Sequence, residues 1–63
     1  MNYVEATQKI KFNSGYIRRP SWKPTEKVVS TNGKVTSGGD LMKSLANLSA
    51  NDFEAYDPRG NKL

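Results

Sequence analysis

The dipeptide Asn32-Gly33 constrains this chain more than any other feature. It lies between Lys27-Val28-Val29-Ser30-Thr31 and Lys34-Val35-Thr36-Ser37, two runs rich in β-branched residues. A two-residue turn that matches the right-handed twist of its strands needs φ > 0 at both central positions, and Asn-Gly meets that need at low cost. The expected register pairs Thr31 with Lys34 and Val29 with Thr36. Polar residues stand beside the valines in both strands, so one face of the hairpin is expected to be wet. A lone hairpin is marginal in water, so the rest of the chain must supply further strands or a helix to cover it.

The flanking sequence supplies both. Asn2 is a favoured helix N-cap, and Glu5 lies three residues on, which makes a capping-box pair available. Tyr3, Ala6, Thr7 and Ile10 share one face at helical spacing. Lys9 and Lys11 stand near the C-terminal end, where the helix dipole favours cations. Asn13-Ser14-Gly15 stops the helix, with Gly15 able to take positive φ. Tyr16-Ile17-Arg18-Arg19 reads as a strand ended by Pro20. Gly38-Gly39 reads as a hinge. Asp40 is then expected to cap a second helix with a Leu41, Leu45 and Leu48 stripe and Met42 beside it, the stripe read as core. Phe53-Glu54-Ala55-Tyr56 reads as a short last strand. Residues 57–63 are polar and contain Pro and Gly, and are expected to form a flexible tail. The fold class is therefore α+β: a small antiparallel sheet with an N-terminal helix and a short second helix before the last strand, in one domain over residues 1–56.

The chain has 63 residues, no Cys and no His. That excludes disulfides, thiolate or imidazole metal ligation, a cysteine nucleophile and a histidine base. The candidate core is one thin layer: Val4, Ala6, Ile10, Phe12, Ile17, Trp22, Val28, Val29, Val35, Leu41, Leu45, Leu48, Phe53 and Tyr56. Chains of this size bury only about 60% of their unfolded surface and usually need a staple or a partner, so oligomerisation or a bound partner is expected. No apolar run is long enough to cross a membrane as a helix, and the N-terminus lacks the apolar core of a signal peptide; a cytoplasmic location is expected.

Ten Lys or Arg against six Asp or Glu give a net charge of +4, which favours an anionic partner. The six acids are scattered, and Glu5 and Asp40 already have helix-capping work. No catalytic residues, metal site or cofactor are expected, and the chain is read as not an enzyme. The informative cluster is Tyr16, Arg18, Arg19 and Trp22. Arginine offers a planar fork for phosphate, and an aromatic ring offers a stacking face. The plainer reading makes Trp22 core with the arginines on its rim. If the segment is a strand, Arg18 and Arg19 point to opposite faces.

Two blocks carry a family resemblance. Asn2-Tyr3-Val4-Glu5-Ala6, then Gly15, Ile17-Arg18-Arg19 and Trp22, is similar to an "F-x-E-A" helix followed by Gly and an "(V/I)-R-R-x-x-W" strand. Asp40-Leu41 with Leu48-Ser49-Ala50-Asn51-Asp52-Phe53-Glu54 is similar to a "D-L-L-A-x-D-W-E" turn into a final strand, with Phe53 where the family usually has Trp. Together, over residues 2–22 and 40–56, the chain resembles the second-type Thoeris anti-defence proteins, as a member shortened in residues 23–39. These phage proteins sequester cyclic nucleotide-type immune signals, including cyclic ADP-ribose isomers.

The resemblance implies an antiparallel sheet with a packed helix, and a homo-oligomer with pockets near protomer interfaces. It also implies sequestration without cleavage. On it, Arg18 or Arg19 would meet phosphate and Tyr16 or Trp22 would stack or form a wall. Asn51 and Asp52 would bond ribose hydroxyls or form the helix-to-strand turn, the turn being favoured. Two other readings stay open: a phage protein that inhibits a host protein such as RNA polymerase or a defence effector, and a small nucleic-acid-binding module.

Overall fold

The computed structural model describes residues 1–12 and 14–63. Helix α1 (Tyr3–Ile10) is followed by strands β1 (Tyr16–Arg18), β2 (Val28–Thr31) and β3 (Lys34–Ser37). A short 3-10 turn (Gly39–Lys43), helix α2 (Leu45–Leu48) and strand β4 (Glu54–Tyr56) complete the chain. The strands form one sheet in the order β3-β2-β1-β4, with every neighbour antiparallel. This is the small α+β fold expected, with its N-terminal helix and its short helix before the last strand.

Helix α1 starts where the capping box places it. The Asn2 side chain accepts from the Glu5 amide at 2.8 Å, and the Glu5 carboxylate accepts from the Asn2 amide at 3.0 Å. Two turns of helix are marginal alone, so packing must hold it. Ala6 and Ile10, one turn apart, are both fully buried and face the sheet over β1 and β4. The chain then turns at Ser14, whose φ is +52°, while Gly15 does not take positive φ. Gly15 is needed for close approach rather than for its backbone freedom. A Cβ there would lie 2.0 Å from the Tyr56 carbonyl oxygen and 3.2 Å from Ile10 Cγ2. The helix and the β4 backbone close over the space a side chain would fill.

At the hairpin both turn residues take positive φ, +53° at Asn32 and +80° at Gly33. Thr31 pairs with Lys34 as expected, and Ser30 with Val35. Beyond that the register corrects the expectation: Val29 pairs with Ser37 rather than Thr36, because a bulge places Thr36 as an extra residue. Strand β3 is exposed along its whole length.

The second helix is also corrected. It is not one helix capped by Asp40. Gly38 stands at the start of the 3-10 turn without a side-chain cap, and Ser44, with ψ 129°, is extended and separates that turn from α2. A break of that kind resets the helical period, so the leucines no longer share a face. Leu41 and Met42 pack against the core, but Leu45 is 81% exposed and Leu48 47%. The inward position on α2 belongs to Asn47, which donates to the Leu41 carbonyl at 2.6 Å.

Seven buried apolar residues make the core: Ala6, Ile10, Ile17, Val28, Ala50, Phe53 and Ala55. Ile17, Val28 and Ala55 lie side by side across three strands, and α1 packs on that face. Phe53 is the centre of an aromatic row, edge-on to Tyr3 at 5.9 Å and to Trp22 at 5.7 Å. Its amide donates to the Met1 carbonyl, so strand pairing in β4 begins one residue later than expected. Val4, Phe12 and Val35, expected inside, are exposed. Residues 57–63, expected as a loose tail, turn back on β4. Asp57 accepts from the amides of Arg59 and Asn61, Lys62 bridges to Tyr56, and the Leu63 amide donates to the Ala55 carbonyl at 2.8 Å.

Candidate binding face

Strand alternation divides the six residues singled out from the sequence. Tyr16 and Arg18, two apart on β1, lie on the sheet face opposite α1. Register places Tyr56 beside Tyr16 and Glu54 beside Arg18 on that face. The tyrosine rings stack with centroids 5.1 Å apart and planes 16° from parallel. The Lys27 ammonium sits 4.7 Å from the Tyr16 ring centroid. Glu54 is held from two sides, by Lys62 Nζ at 2.9 Å and by the Tyr56 hydroxyl at 3.0 Å. The face thus carries three cations, Lys27, Arg18 and Lys62, against one carboxylate.

Arg18 is the least satisfied side chain on this face. One terminal nitrogen donates to the Trp22 carbonyl at 2.8 Å, while its Nε is buried with no acceptor. A buried donor left unpaired costs on the order of 1–3 kcal/mol. Swinging the guanidinium outward onto an anion would relieve that cost.

The titrations follow from these contacts. Lys62, and then Tyr56, donate to Glu54 and hold its carboxyl below the usual range. Burial, reinforced by the Glu54 bond, pushes the Tyr56 hydroxyl up, and Glu54 raises Lys62 in return.

Arg19, Trp22 and Asp52 form a separate cluster. Arg19 Nε donates to Asp52 at 2.7 Å and a terminal nitrogen donates to Asn47 at 2.9 Å. Trp22 Nε1 donates to the same Asn47 oxygen at 3.1 Å. Arg19 holds the Asp52 carboxyl below its ordinary value. This network ties the loop after β1 to α2 and the turn before β4. Its members are turned toward one another. Asn51 is exposed, and its carbonyl accepts from the N-terminal ammonium at 3.1 Å. The structure therefore brings Tyr16 and Arg18 together on one surface and Arg19, Trp22 and Asp52 on another.

Sequence reasoning missed Tyr56, Lys27 and Lys62 as members of the sheet face. Only the pairing of β1 with β4 aligns them, and no local signal states that pairing. Asn47 was missed too; a poor helix former inside a leucine stripe was its one sign. A groove of about 220 Å³ between α1 and the β2–β3 hairpin contains none of the six residues. Among the described residues, no group of three acids gathers as a metal site, and no helix is long and apolar enough to cross a membrane.

Fold and face define a small α+β protein with a half-exposed, cationic, tyrosine-bearing sheet face. Comparison with protein-family models, curated proteins and solved structures gives no match.

Proposed function

We propose that this protein is a non-enzymatic binding protein that sequesters an anionic, cyclic nucleotide-type signal, cyclic ADP-ribose-type ligands included. This is the role implied by its resemblance to the second-type Thoeris anti-defence proteins, and it would be exercised in the cytoplasm of an infected host cell. The observation that carries the reading is the outer sheet face, where Arg18, with an unpaired buried Nε, adjoins the stacked Tyr16–Tyr56 pair. Net positive charge there favours an anion over a second copy of the same face. Each acid has a structural contact. Glu5 caps α1, Glu26 accepts from the Lys23 amide, Asp40 pairs with Lys43, and Asp57 holds its turn. Asp52 and Glu54 are held ionised by their partners. A protein so occupied acts by mass action, lowering the free concentration of its ligand.

A thermal-shift screen against cyclic nucleotides tests this. Ligand at 100 times Kd stabilises the native state by about 2.7 kcal/mol. Arg18→Ala should abolish the shift, and ligand released by denaturation should be chemically intact. No shift across the panel would sink the reading. A half-exposed antiparallel sheet with paired tyrosines also favours single-stranded nucleic acid. In that case oligonucleotides should bind with affinity falling steeply in salt.

A further inference from the structure

Asn32-Gly33 holds a pair of reactants as well as a turn. An asparagine side chain is attacked most readily by the amide of a following glycine, since no Cβ shields that nitrogen. The other asparagines precede Tyr3, Ser14, Leu48, Asp52 and Lys62. Both turn residues are exposed, so water reaches them. Their φ values, +53° and +80°, are those of a type I′ turn, in which ψ of the first residue is roughly +30°. At that ψ the Gly33 nitrogen lies across the Cα–C bond from Asn32 Cγ, and the two atoms do not meet. The closed turn keeps its own reactants apart.

Opening needs little, because β3 is the least covered strand of the sheet. It is exposed along its whole length, its pairing with β2 is interrupted by the bulge, and none of the seven core residues lies on it. Such a margin opens without undoing the core. One contact from outside the hairpin opposes it. The stem of Lys11 lies across the turn, its Cγ 3.7 Å and its Cε 3.9 Å from where a Gly33 Cβ would stand. We propose that Asn32-Gly33 is a site of spontaneous deamidation, gated by closure of the hairpin beneath Lys11.

In the open turn the Gly33 amide loses its proton to solvent and its nitrogen attacks Asn32 Cγ. The new N–C bond closes a succinimide ring, and the side-chain nitrogen takes up a proton and leaves as ammonia. Water then opens the ring. Breaking the bond to Cγ gives aspartate at position 32. Breaking the bond to the main-chain carbonyl carbon gives isoaspartate, whose main chain runs through the former side chain. Either product carries a carboxylate in place of a neutral amide, so the net charge falls from +4 to +3. Aspartate tolerates positive φ as asparagine does, and that hairpin closes again. Isoaspartate lengthens the main chain by one atom, and the two-residue turn that pairs Thr31 with Lys34 does not close over it. With β3 detached, β2 becomes the free margin of the sheet.

Incubation of the whole protein in neutral buffer, beside a synthetic peptide of residues 27–38, tests this; the peptide is the open reference, a lone hairpin being marginal in water. Mass spectrometry locates the amide-to-acid mass gain, and electron-transfer fragmentation separates isoaspartate from aspartate. Asn32 should convert before every other asparagine, yet at least about tenfold more slowly than in the peptide, since only the open fraction reacts. Urea well below the unfolding midpoint should speed the protein and leave the peptide unchanged. Lys11→Ala should convert faster than wild type with an unchanged circular dichroism spectrum. Conversion as fast as in the peptide overturns the gate, as does a Lys11→Ala rate equal to wild type. Asn32 that stays intact while the peptide converts, that converts only beyond the unfolding transition, or that follows another asparagine overturns the site.

Discussion

Replacing Asn47 with Ala should weaken this fold more than breaking its best-formed ion pair. The Asn47 oxygen accepts from Trp22 Nε1 at 3.1 Å and from Arg19 at 2.9 Å, and its amide nitrogen donates to the Leu41 carbonyl at 2.6 Å. One side chain thus joins the loop after β1, the 3-10 turn and α2. Each such bond contributes about 0.5–1.5 kcal/mol net. The site is half-buried, so water replaces part of what is lost, and the cost should be about 2 kcal/mol. For a domain this small, each kcal/mol moves Tm by about 4–8 °C, so the midpoint should fall by roughly 10 °C.

Asp52→Ala removes the Arg19 ion pair, whose side chains are 22% and 48% exposed. An exposed pair of this kind contributes little and is screened by salt. Thermal unfolding followed by circular dichroism and Trp22 fluorescence compares the two variants in low and high salt. Asn47→Ala should be the worse variant in both, and its deficit should not shrink with salt. A smaller loss for Asn47→Ala than for Asp52→Ala would refute the claim that the neutral hub holds these segments together.

Gly15→Ala should leave the chain largely unfolded by circular dichroism, since its Cβ would stand 2.0 Å from backbone oxygen of β4; a native melt would show that the approach can open. Gly33→Ala should cost about 1 kcal/mol in denaturant unfolding, because φ there is +80°. Glu54, lowered below its ordinary 4.5, contributes stability present above that value and lost as pH falls through its folded pKa. Lys62, raised above 10.5, contributes stability present below that value and lost as pH rises through its folded pKa. Glu54→Gln should therefore flatten both limbs of the stability–pH curve, and an unchanged acid limb would place that dependence elsewhere.

Local chemistry was legible in the sequence, and long-range geometry was not. Asn2 with Glu5 fixed the start of α1, and Asn32-Gly33 fixed the hairpin, because each signal acts within four residues. The Thr36 bulge has no such mark. The leucine stripe misled because its 3.6-residue period holds only in an unbroken helix, and Ser44 breaks it. Arg18 and Arg19 separated as strand alternation expects. Whether each met solvent or a partner depended on Trp22, Asn47 and Asp52, brought in from elsewhere in the chain. Tyr56 joined Tyr16 only through the β1–β4 register. The core differs from its apolar candidates: Val4, Phe12, Val35, Leu45 and Leu48 stand outside it, and Ala50 and Ala55, which were not among the candidates, lie inside.

The Thr36 bulge and the turned-back residues 57–63 have a shared consequence for how copies of this chain can meet. A sheet invites another strand wherever it leaves a row of free amides and carbonyls. On one side, β3 is four residues long, begins with a Lys and is kinked by its extra residue. On the other side, Lys62 and Leu63 already pair with β4. Neither margin offers a long, flat template, so strand-by-strand growth into a fibre is disfavoured at both ends. A strand added at either margin would first have to undo the bulge on β3 or displace the pairing of Lys62 and Leu63 with β4.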